Sequence, residues 1–174
     1  MKKVMNFKSL AMIIAMISAA CFTSCTPQPD GPDSKEINFT ATFTTDITEV
    51  VLSSYDITAE ILLDDSTLYA EEINTDIWTY TTNLQGVEAS RIYCKVVAKA
   101  KETLPEYNAE ELYLIGISST NNVKVTKNKQ TTNLMPTRDN SVTYIMKYLA
   151  GSKIPDYIAK TPTINIVDVE YQLQ

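Results

Sequence analysis

Arg91 to Lys101, with the sequence RIYCKVVAKAK, shows most clearly how this chain folds. Side chains alternate along it, so that one side of the stretch is apolar and the other is largely charged. A period of two residues is typical of a β-strand with one buried face and one face in water. The apolar side consists of Ile92, Cys94, Val96, Ala98 and Ala100, and the other side of Arg91, Tyr93, Lys95, Lys99 and Lys101.

The same alternation recurs on both sides of this stretch. Ile37–Thr44 and Ile57–Leu63 show it clearly, and Asp64-Asp65-Ser66 supplies a turn after the second of them. Near the C-terminus, Thr163–Leu173 places Val167, Val169, Tyr171 and Leu173 on one side. Weaker strand candidates are Val50–Tyr55, Leu68–Ile73 and Ile77–Thr82, the last being rich in β-branched and aromatic residues.

The region between residues 112 and 149 is less regular. Leu112–Ser118 and Val123–Lys127 are predicted to form a hairpin around Thr120-Asn121-Asn122, because asparagine favours the left-handed conformations of tight turns. Asn128–Asn140 is polar and interrupted by proline, which predicts a loop. Ser141–Leu149 fits either a helix or a strand, and its β-branched and tyrosine content favours the strand.

Seven to nine short strands and no clear helix predict an all-β domain, an antiparallel β-sandwich with a small β-barrel as the alternative. Ile92-Tyr93-Cys94-Lys95-Val96 resembles the sixth strand of immunoglobulin-like and fibronectin-type domains. This resemblance implies an immunoglobulin-like sandwich, which we expect to span residues 37–174 as a single domain.

The N-terminus has the anatomy of an export signal. Lys2, Lys3 and Lys8 form a positive start, and Leu10 to Phe22 is apolar apart from Ser18. This run is shorter than the roughly 20 residues that cross a bilayer. A basic start, a short apolar core and small residues at its end predict a secretory signal peptide.

Small residues precede a cysteine twice, in Ser18-Ala19-Ala20-Cys21 and in Phe22-Thr23-Ser24-Cys25. Both resemble the lipobox of bacterial lipoproteins, which implies a diacylglycerol on the cysteine sulfur, cleavage before that cysteine and a lipid anchor of palmitate-type chains. We expect Cys25 to be lipidated, because Phe22 is the closer substitute for the usual leucine, and Cys21 is the alternative. The resemblance also implies the outer membrane of a Gram-negative bacterium, on its periplasmic or its cell-surface face.

The predicted organisation is a signal peptide at residues 1–24, a lipidated cysteine with a flexible tether at residues 25–36, and the sandwich domain. The tether contains TPQPDGPDSK at residues 26–35, and such a proline-rich segment is expected to be extended and solvated.

Composition excludes several classes of function. Cleavage before Cys25 leaves 12 of the 15 basic residues against 21 acidic ones, a net charge of −9 that disfavours nucleic acid as a partner. The chain has no histidine, which removes the commonest general base and the commonest zinc ligand. Of three cysteines only Cys94 would remain as a thiol, and we expect it to be a small core residue.

Acidic residues occur in adjacent pairs at Asp64-Asp65, Glu71-Glu72 and Glu110-Glu111. Neighbours on a strand point to opposite faces, so no such pair forms the facing carboxylates that glycoside hydrolysis requires. Calcium takes about six to eight oxygen ligands. Asp30, Asp33, Asp64 and Asp65 match no known calcium-loop spacing, so we predict no metal site. Because the sequence has no histidine, no G-x-S-x-G motif and only four glycines, we also predict no cofactor and no enzymatic activity.

Trp78 and Tyr80 share one face of a predicted strand, with Tyr69 as a further candidate nearby. Exposed rings at this spacing could form a platform for sugar rings, whereas the same rings facing inward would be part of the core. Thr79 and Thr81 flank them, so the sequence leaves both directions open.

We therefore expect a lipid-anchored binding or accessory module, with a glycan as a candidate ligand on Trp78, Tyr80 and Tyr69. The alternative is a structural or adhesin-like envelope component that binds protein partners. Lipoprotein fimbrial subunits, which assemble by donating a strand, are the example of that class.

Overall fold

The structure is a computed structural model that describes residues 36–142 and 144–174. These residues all belong to one compact unit, Ser34–Gln174. The predicted signal peptide, the lipidation candidates Cys21 and Cys25, and almost all of the predicted tether lie outside the described residues.

The described part consists of ten strands and two short helices. The strands are β1 (Ile37–Ile47), β2 (Tyr55–Leu63), β3 (Ser66–Glu72), β4 (Ile77–Val87), β5 (Arg91–Ala100), β6 (Leu112–Lys127), β7 (Gln130–Asn133), β8 (Arg138–Asp139), β9 (Tyr144–Ala150) and β10 (Thr163–Gln172). The helices are α1 (Glu49–Ser54) and α2 (Ile154–Lys160), and a 3-10 turn at Gly151–Lys153 precedes α2.

The strands form two antiparallel sheets. Sheet A has the order β4-β1-β6-β7, and β9 pairs with the N-terminal half of β6. Sheet B has the order β3-β2-β5-β10-β8. This architecture confirms the predicted all-β sandwich, although the ten strands described exceed the predicted seven to nine. Neither sheet closes into a barrel within the part of the chain that the structure describes.

β1 is the central strand of sheet A, since β4 pairs with one of its edges and β6 with the other. Its side chains alternate between the interior and the outer face of the sheet. The inward side chains of this strand are all buried: Ile37, Phe39, Ala41, Phe43, Thr45 and Ile47. They pack against the inward residues of β2, β5 and β10, so the core lies between the two sheets.

Part of the neighbour order matches that of immunoglobulin domains. In sheet B, β3-β2-β5-β10 runs in the same order as C′-C-F-G, and in sheet A, β6-β1-β4 runs in the same order as A-B-E. β6 departs from that scheme, because it lies beside β1 although it follows β5 in the chain. The structure therefore shows a β-sandwich, and the resemblance of β5 to the sixth immunoglobulin strand stays a prediction.

The clearest sequence predictions are confirmed. β1, β2, β5 and β10 lie where alternation places them, and their apolar sides face the core. The turn after β2 begins at Asp64, which has a positive φ of 52°. The weaker candidates at Leu68–Ile73 and Ile77–Thr82 are strands as well, as β3 and β4.

The predicted strand at Val50–Tyr55 is wrong, because Glu49–Ser54 forms α1. Val50, Val51 and Ser54 are buried, and their spacing of one and three residues covers one face of a helix. Glu49 stands in the first turn, where a negative charge favours the helix dipole.

The predicted hairpin around Thr120-Asn121-Asn122 is also wrong, because β6 continues through these residues as one strand of 16 residues. Asn121 is paired with Phe43, and Asn122 with Thr42 of β1. The polar residues of this stretch alternate in direction. Ser119 and Asn121 face inward and are partly buried, while Thr120 and Asn122 face solvent.

The turn in this region is Asn128-Lys129, where φ is 50° and 63°. Two consecutive positive φ values are the signature of a type I′ hairpin turn, which here joins β6 to β7. The region Asn128–Asn140 is therefore a loop only in part, since it contains β7 and β8.

Ser141–Leu149 contains the strand β9, which agrees with the favoured alternative. The sequence did not reveal α2, which follows it. Ile154 and Ile158 lie four residues apart and are buried, and Pro155 occupies the first turn, where proline is tolerated. Gly151 is needed before α2, because a Cβ there would lie 2.1 Å from the backbone oxygen of Asn108.

The continuity of β6 can be tested with a proline. Thr120→Pro removes a main-chain donor in the middle of a strand that pairs with β1, so we expect it to lower the free energy of unfolding by about 2 kcal/mol or more. Thr120→Val, which keeps the β-branched shape, is the control and should change stability by less than about 0.5 kcal/mol. Urea unfolding measures both, and a harmless proline would restore the hairpin interpretation.

Candidate binding surface

Trp78 lies in the interior, with 4% of its surface exposed. β4 pairs it with Thr45, whose side chain also faces the core. Tyr80 and Tyr69 are half-buried beside it, and the Tyr69 ring lies 4.7 Å from the Tyr80 ring and 6.4 Å from the Trp78 ring. The three predicted residues do come together, but between the edges of β3 and β4, where they close one side of the sandwich.

Trp78 therefore occupies the core position that the sequence left open, and it offers no ring face to a sugar. Tyr69 also donates a hydrogen bond to the Glu71 carboxylate, which directs its hydroxyl outward. Only the rims of Tyr69 and Tyr80 remain available to a ligand.

Cys94 is fully buried in β5. Burial raises the pKa of its thiol well above the ordinary range, because the thiolate would be left without water. A buried, protonated thiol packs as a small apolar side chain and does not act as a nucleophile.

Asp64 stabilises the loop before β5 through hydrogen bonds. One carboxylate oxygen accepts hydrogen bonds from the Ser90 hydroxyl at 2.6 Å, the Ser90 N–H at 3.0 Å and the Arg91 N–H at 3.1 Å. The hydrogen bond from the Ser90 hydroxyl is the main cause that lowers the pKa of this carboxyl. Asp65 instead pairs with Arg91 at 2.5 Å.

The remaining acidic residues form no metal centre in the described part of the chain. No group of three histidine, cysteine, aspartate or glutamate side chains is close enough to hold an ion among residues 36–142 and 144–174. Asp30 and Asp33 lie outside these residues. Glu71, Glu72, Glu110 and Glu111 are all exposed.

A polar cluster that the sequence did not reveal lies on sheet B around Asp168. This carboxylate accepts hydrogen bonds from the Tyr93 hydroxyl at 2.9 Å and from the Arg138 guanidinium at 2.8 Å. The guanidinium also lies over the Tyr93 ring, 4.9 Å from its centre. Burial alone would raise the pKa of Asp168, but these hydrogen bonds outweigh it, and the pKa is lowered.

The pKa of Tyr93 is shifted in the opposite direction to that of Asp168. Burial and the neighbouring Asp168 raise the pKa of its hydroxyl to about 12. The cluster is therefore a neutral donor and a cationic donor that share one carboxylate, and it attaches the segment around β8 to β10.

This cluster predicts a pH dependence of stability. Because the folded-state pKa of Asp168 is lowered, its contribution is present above the unfolded pKa of about 4 and is lost as pH falls through the folded value. We expect Asp168→Asn to lower the free energy of unfolding by about 2 kcal/mol at pH 7 and to have a smaller effect at pH 2. Urea unfolding at both pH values measures this, and an equal loss at both would contradict the charged pairing.

The outer face of sheet A is rich in hydroxyl and amide groups, and Asp46 and Lys124 are the charged residues of β1, β4 and β6 on it. Here Thr42 pairs with Thr81 and Thr44 with Thr79, and their hydroxyls lie 3.3 and 3.2 Å apart. We call the following residues of this face the hydroxyl face: Thr40, Thr42, Thr44, Thr79, Thr81, Asn83, Thr120 and Asn122. It offers hydroxyl and amide groups at strand spacing of about 4.8 Å across the sheet.

Exposed apolar side chains adjoin the hydroxyl face on β9. Tyr144, Met146 and Tyr148 are 63%, 57% and 66% exposed. In the register with β6 they lie beside Ser118, Gly116 and Leu114 in that order, so they share the outer face. We call Tyr144, Met146 and Tyr148 the β9 patch.

A shallow depression of about 240 Å³ lies beside Tyr144 and Met146 of the β9 patch, and its lining includes no residue of the hydroxyl face. Its floor is at Gly116, and its walls include Tyr144, Met146, Ser118 and Asp46. A Cβ at Gly116 would lie 2.7 Å from the methyl group of Thr48, so a side chain there would require Thr48 to move. An aromatic ring, a hydroxyl and a carboxylate therefore border a position without a side chain.

The outer face of sheet B is different, because charged side chains oppose each other across its strands. Lys95 is paired with Glu60 and Asp168, and Lys99 with Asp56. Such a face suits solubility, whereas the hydroxyl face and the β9 patch suit recognition of uncharged groups. The sequence shows Tyr144, Met146 and Tyr148 as one side of a strand, but alternation alone does not tell whether that side is buried.

Comparison of the chain with protein-family models, with curated proteins and with solved structures finds no match. Among the described residues, neither helix has the length and apolar character needed to cross a membrane.

Proposed function

We propose that this protein is a lipoprotein anchored in the outer membrane of a Gram-negative bacterium, and that its β-sandwich binds a neutral glycan. The anchor and the binding surface are independent parts of the proposal. The anchor is supported by the sequence of the first 25 residues, and the binding surface by the geometry of sheet A.

The anchor is supported by the basic start, the short apolar run and the small residues before Cys25. Each buried CH₂ of an acyl chain contributes about 0.8 kcal/mol to membrane binding, so several chains hold a protein durably. The domain would then be displayed on the periplasmic or the cell-surface face by the segment that enters β1 at Ile37.

Lipidation can be tested by labelling the full chain with palmitate in a Gram-negative host. We expect label in the wild-type protein and in Cys21→Ser, and none in Cys25→Ser, because only a cysteine thiol accepts the diacylglycerol. Label that persists in Cys25→Ser and disappears in Cys21→Ser would move the anchor to Cys21. No label in any of the three would remove it.

One observation carries the glycan proposal: in the depression over Gly116 the exposed Tyr144 ring lies beside Ser118 and Asp46, on strands whose outer side continues into the hydroxyl face. Sugars present apolar C–H faces and many hydroxyls, so they need a ring to stack on and neutral groups that both donate and accept hydrogen bonds. The depression is smaller than the roughly 300–1,000 Å³ pockets that enclose small molecules. It fits one ring of a longer chain that lies across the sheet.

The surface on Trp78, Tyr80 and Tyr69 is less suited to this role, because Trp78 is buried. A Trp78→Ala variant would leave a core cavity and is expected to cost about 3–5 kcal/mol of stability. Loss of binding in that variant would therefore say little about direct contact.

Binding can be measured by the melting temperature of the chain from Thr26 onward with a panel of neutral and anionic glycans. A ligand that binds only the folded state adds RT ln(1 + [L]/Kd) to its stability. We expect a shift with one class of neutral glycan, reduced about tenfold in affinity by Tyr144→Ala. Because Tyr144 is 63% exposed, this variant should melt at the wild-type temperature without ligand.

Matched threonine variants test whether the glycan binds the hydroxyl face or another surface. Thr79→Val and Thr81→Val remove exposed hydroxyls at constant shape and should weaken binding, whereas Thr67→Val on β3 of sheet B should not. The absence of any shift at millimolar glycan, or a shift with anionic glycans alone, would contradict a neutral-glycan site.

The alternative, a protein-binding envelope component, is favoured by the β9 patch. Assembly by donation of a terminal strand is not, because β1 and β10 are the first and last strands described and both have neighbours on both sides. A protein partner would instead meet the edge of β9.

A further inference from the structure

β9 is an edge strand whose second edge is unpaired among the described residues. The Gly151 N–H donates to the Glu111 carbonyl at 2.9 Å, and the register with β6 continues from there without a shift. Hydrogen-bonding residues alternate along an antiparallel ladder. The N–H and C=O groups of Ile145, Lys147 and Leu149 therefore point to β6.

The main-chain groups of Tyr144, Met146 and Tyr148 then point away from β6, toward the open edge. These are also the residues whose side chains form the β9 patch. One short strand thus combines free donors and acceptors with exposed apolar side chains, which is the combination that strand addition requires.

The other sheet edges are less suited to pairing. β7 has four residues and β8 has two. β3 carries Glu71 and Glu72 at its end, and the outer side chains of β4 are mainly threonine and asparagine, so pairing there would bury little apolar surface. β9 has seven residues and no proline, and Lys147 is its only feature of the kind that discourages edge-to-edge contact.

We propose that β9 pairs with β9 of a second copy of this chain, antiparallel and with Met146 opposite Met146 of that copy. In this register the outward-pointing main-chain groups of both strands meet, since Tyr144 lies opposite the second copy's Tyr148. Each Tyr144–Tyr148 pair is a cross-strand aromatic contact of the kind that stabilises sheets.

Charge also selects this register. Lys147 is the only charged residue of β9, and a centre one residue later would place it directly opposite its own copy. Like charges that face each other across two strands are destabilising. With the centre at Met146, Lys147 lies opposite Ile145 instead.

The assembly is an isologous dimer in which two copies of sheet A form one continuous sheet. Pairing of one seven-residue strand buries less than the roughly 1,200 Å² of a standard stable interface, so the dimer is weak. The two hydroxyl faces lie on the same side of the joined sheet and remain open. The inference therefore does not depend on glycan binding, and either proposal can fail alone.

The register can be tested by cross-linking in the chain from Thr26 onward, which contains the whole compact unit and keeps only the buried Cys94 as a natural thiol. Hydrogen-bonded residues of an antiparallel pair have Cα atoms about 5.5 Å apart, within the range of disulfides. Met146→Cys should therefore form covalent dimers under mild oxidation. Tyr144→Cys and Tyr148→Cys should each do so poorly alone but well when mixed.

Ile77→Cys is the matched control for random collision, because Ile77 is 59% exposed on the same outer face but on the opposite edge strand, β4. Cross-linking of Met146→Cys at the rate of Ile77→Cys would overturn the proposal. So would equal self-cross-linking of Tyr144→Cys and Met146→Cys, which would exclude this register.

Sedimentation of the unmodified chain gives a second readout. We expect dimers to appear as the concentration approaches about 1 mM, as suits an interface of this size. Met146→Lys should reduce the dimer fraction about tenfold through like-charge repulsion across the pair, and Ile77→Lys should leave it unchanged. A monomer at every concentration up to about 1 mM would overturn the proposal.

Discussion

The structure depends on the position of β1 in the middle of sheet A. Its inward residues, including Phe39 and Phe43, are almost completely buried, and its two edges pair with β4 and β6 over most of their length. Because backbone groups in the sheet interior must be paired, β1 fixes the register of both neighbours. That register in turn decides which side of β4 and β6 faces the core. Trp78 is buried because it lies opposite Thr45, and Thr79 is exposed because it lies opposite Thr44.

The outer side of the same three strands carries the hydroxyl face. Threonine is β-branched and fits the pleated sheet, and paired threonines bond to one another across the strands. Such residues stabilise a solvent-facing sheet without the opposite charges that sheet B uses around Lys95 and Lys99. The neutral character of the hydroxyl face is therefore compatible with strand stability, and the exposed rings of β9 lie at its border.

Alternation predicted those parts of the fold in which one side of a strand is buried and the other is not, as in β1 and β5. It failed where the interior contains polar side chains. Ser119 and Asn121 face inward in β6, so the sequence of this strand resembles that of a turn. The helices α1 and α2 have six and seven residues, too few to display a period of 3.6. For the candidate site, the sequence identified Trp78, Tyr80 and Tyr69 as one group of aromatic residues. It could not assign their direction, which depends on the pairing of β4 with β1 and of β3 with β2. The outward direction of Tyr144 and Tyr148 depends on the register of β9 with β6.

The place of β6 in sheet A also affects how the chain folds as it is made. Synthesis proceeds from the N-terminus, so β1 appears before either of its neighbours, and β6 begins only at Leu112. Until then the edge of β1 that pairs with β6 has no partner strand. Contacts between such distant segments form slowly. In the half-made chain, β1 therefore has one unpaired edge until β6 has been made. This sequence order favours folding after most of the chain has been released, and it makes the early intermediate the state in which a chaperone would have the greatest effect.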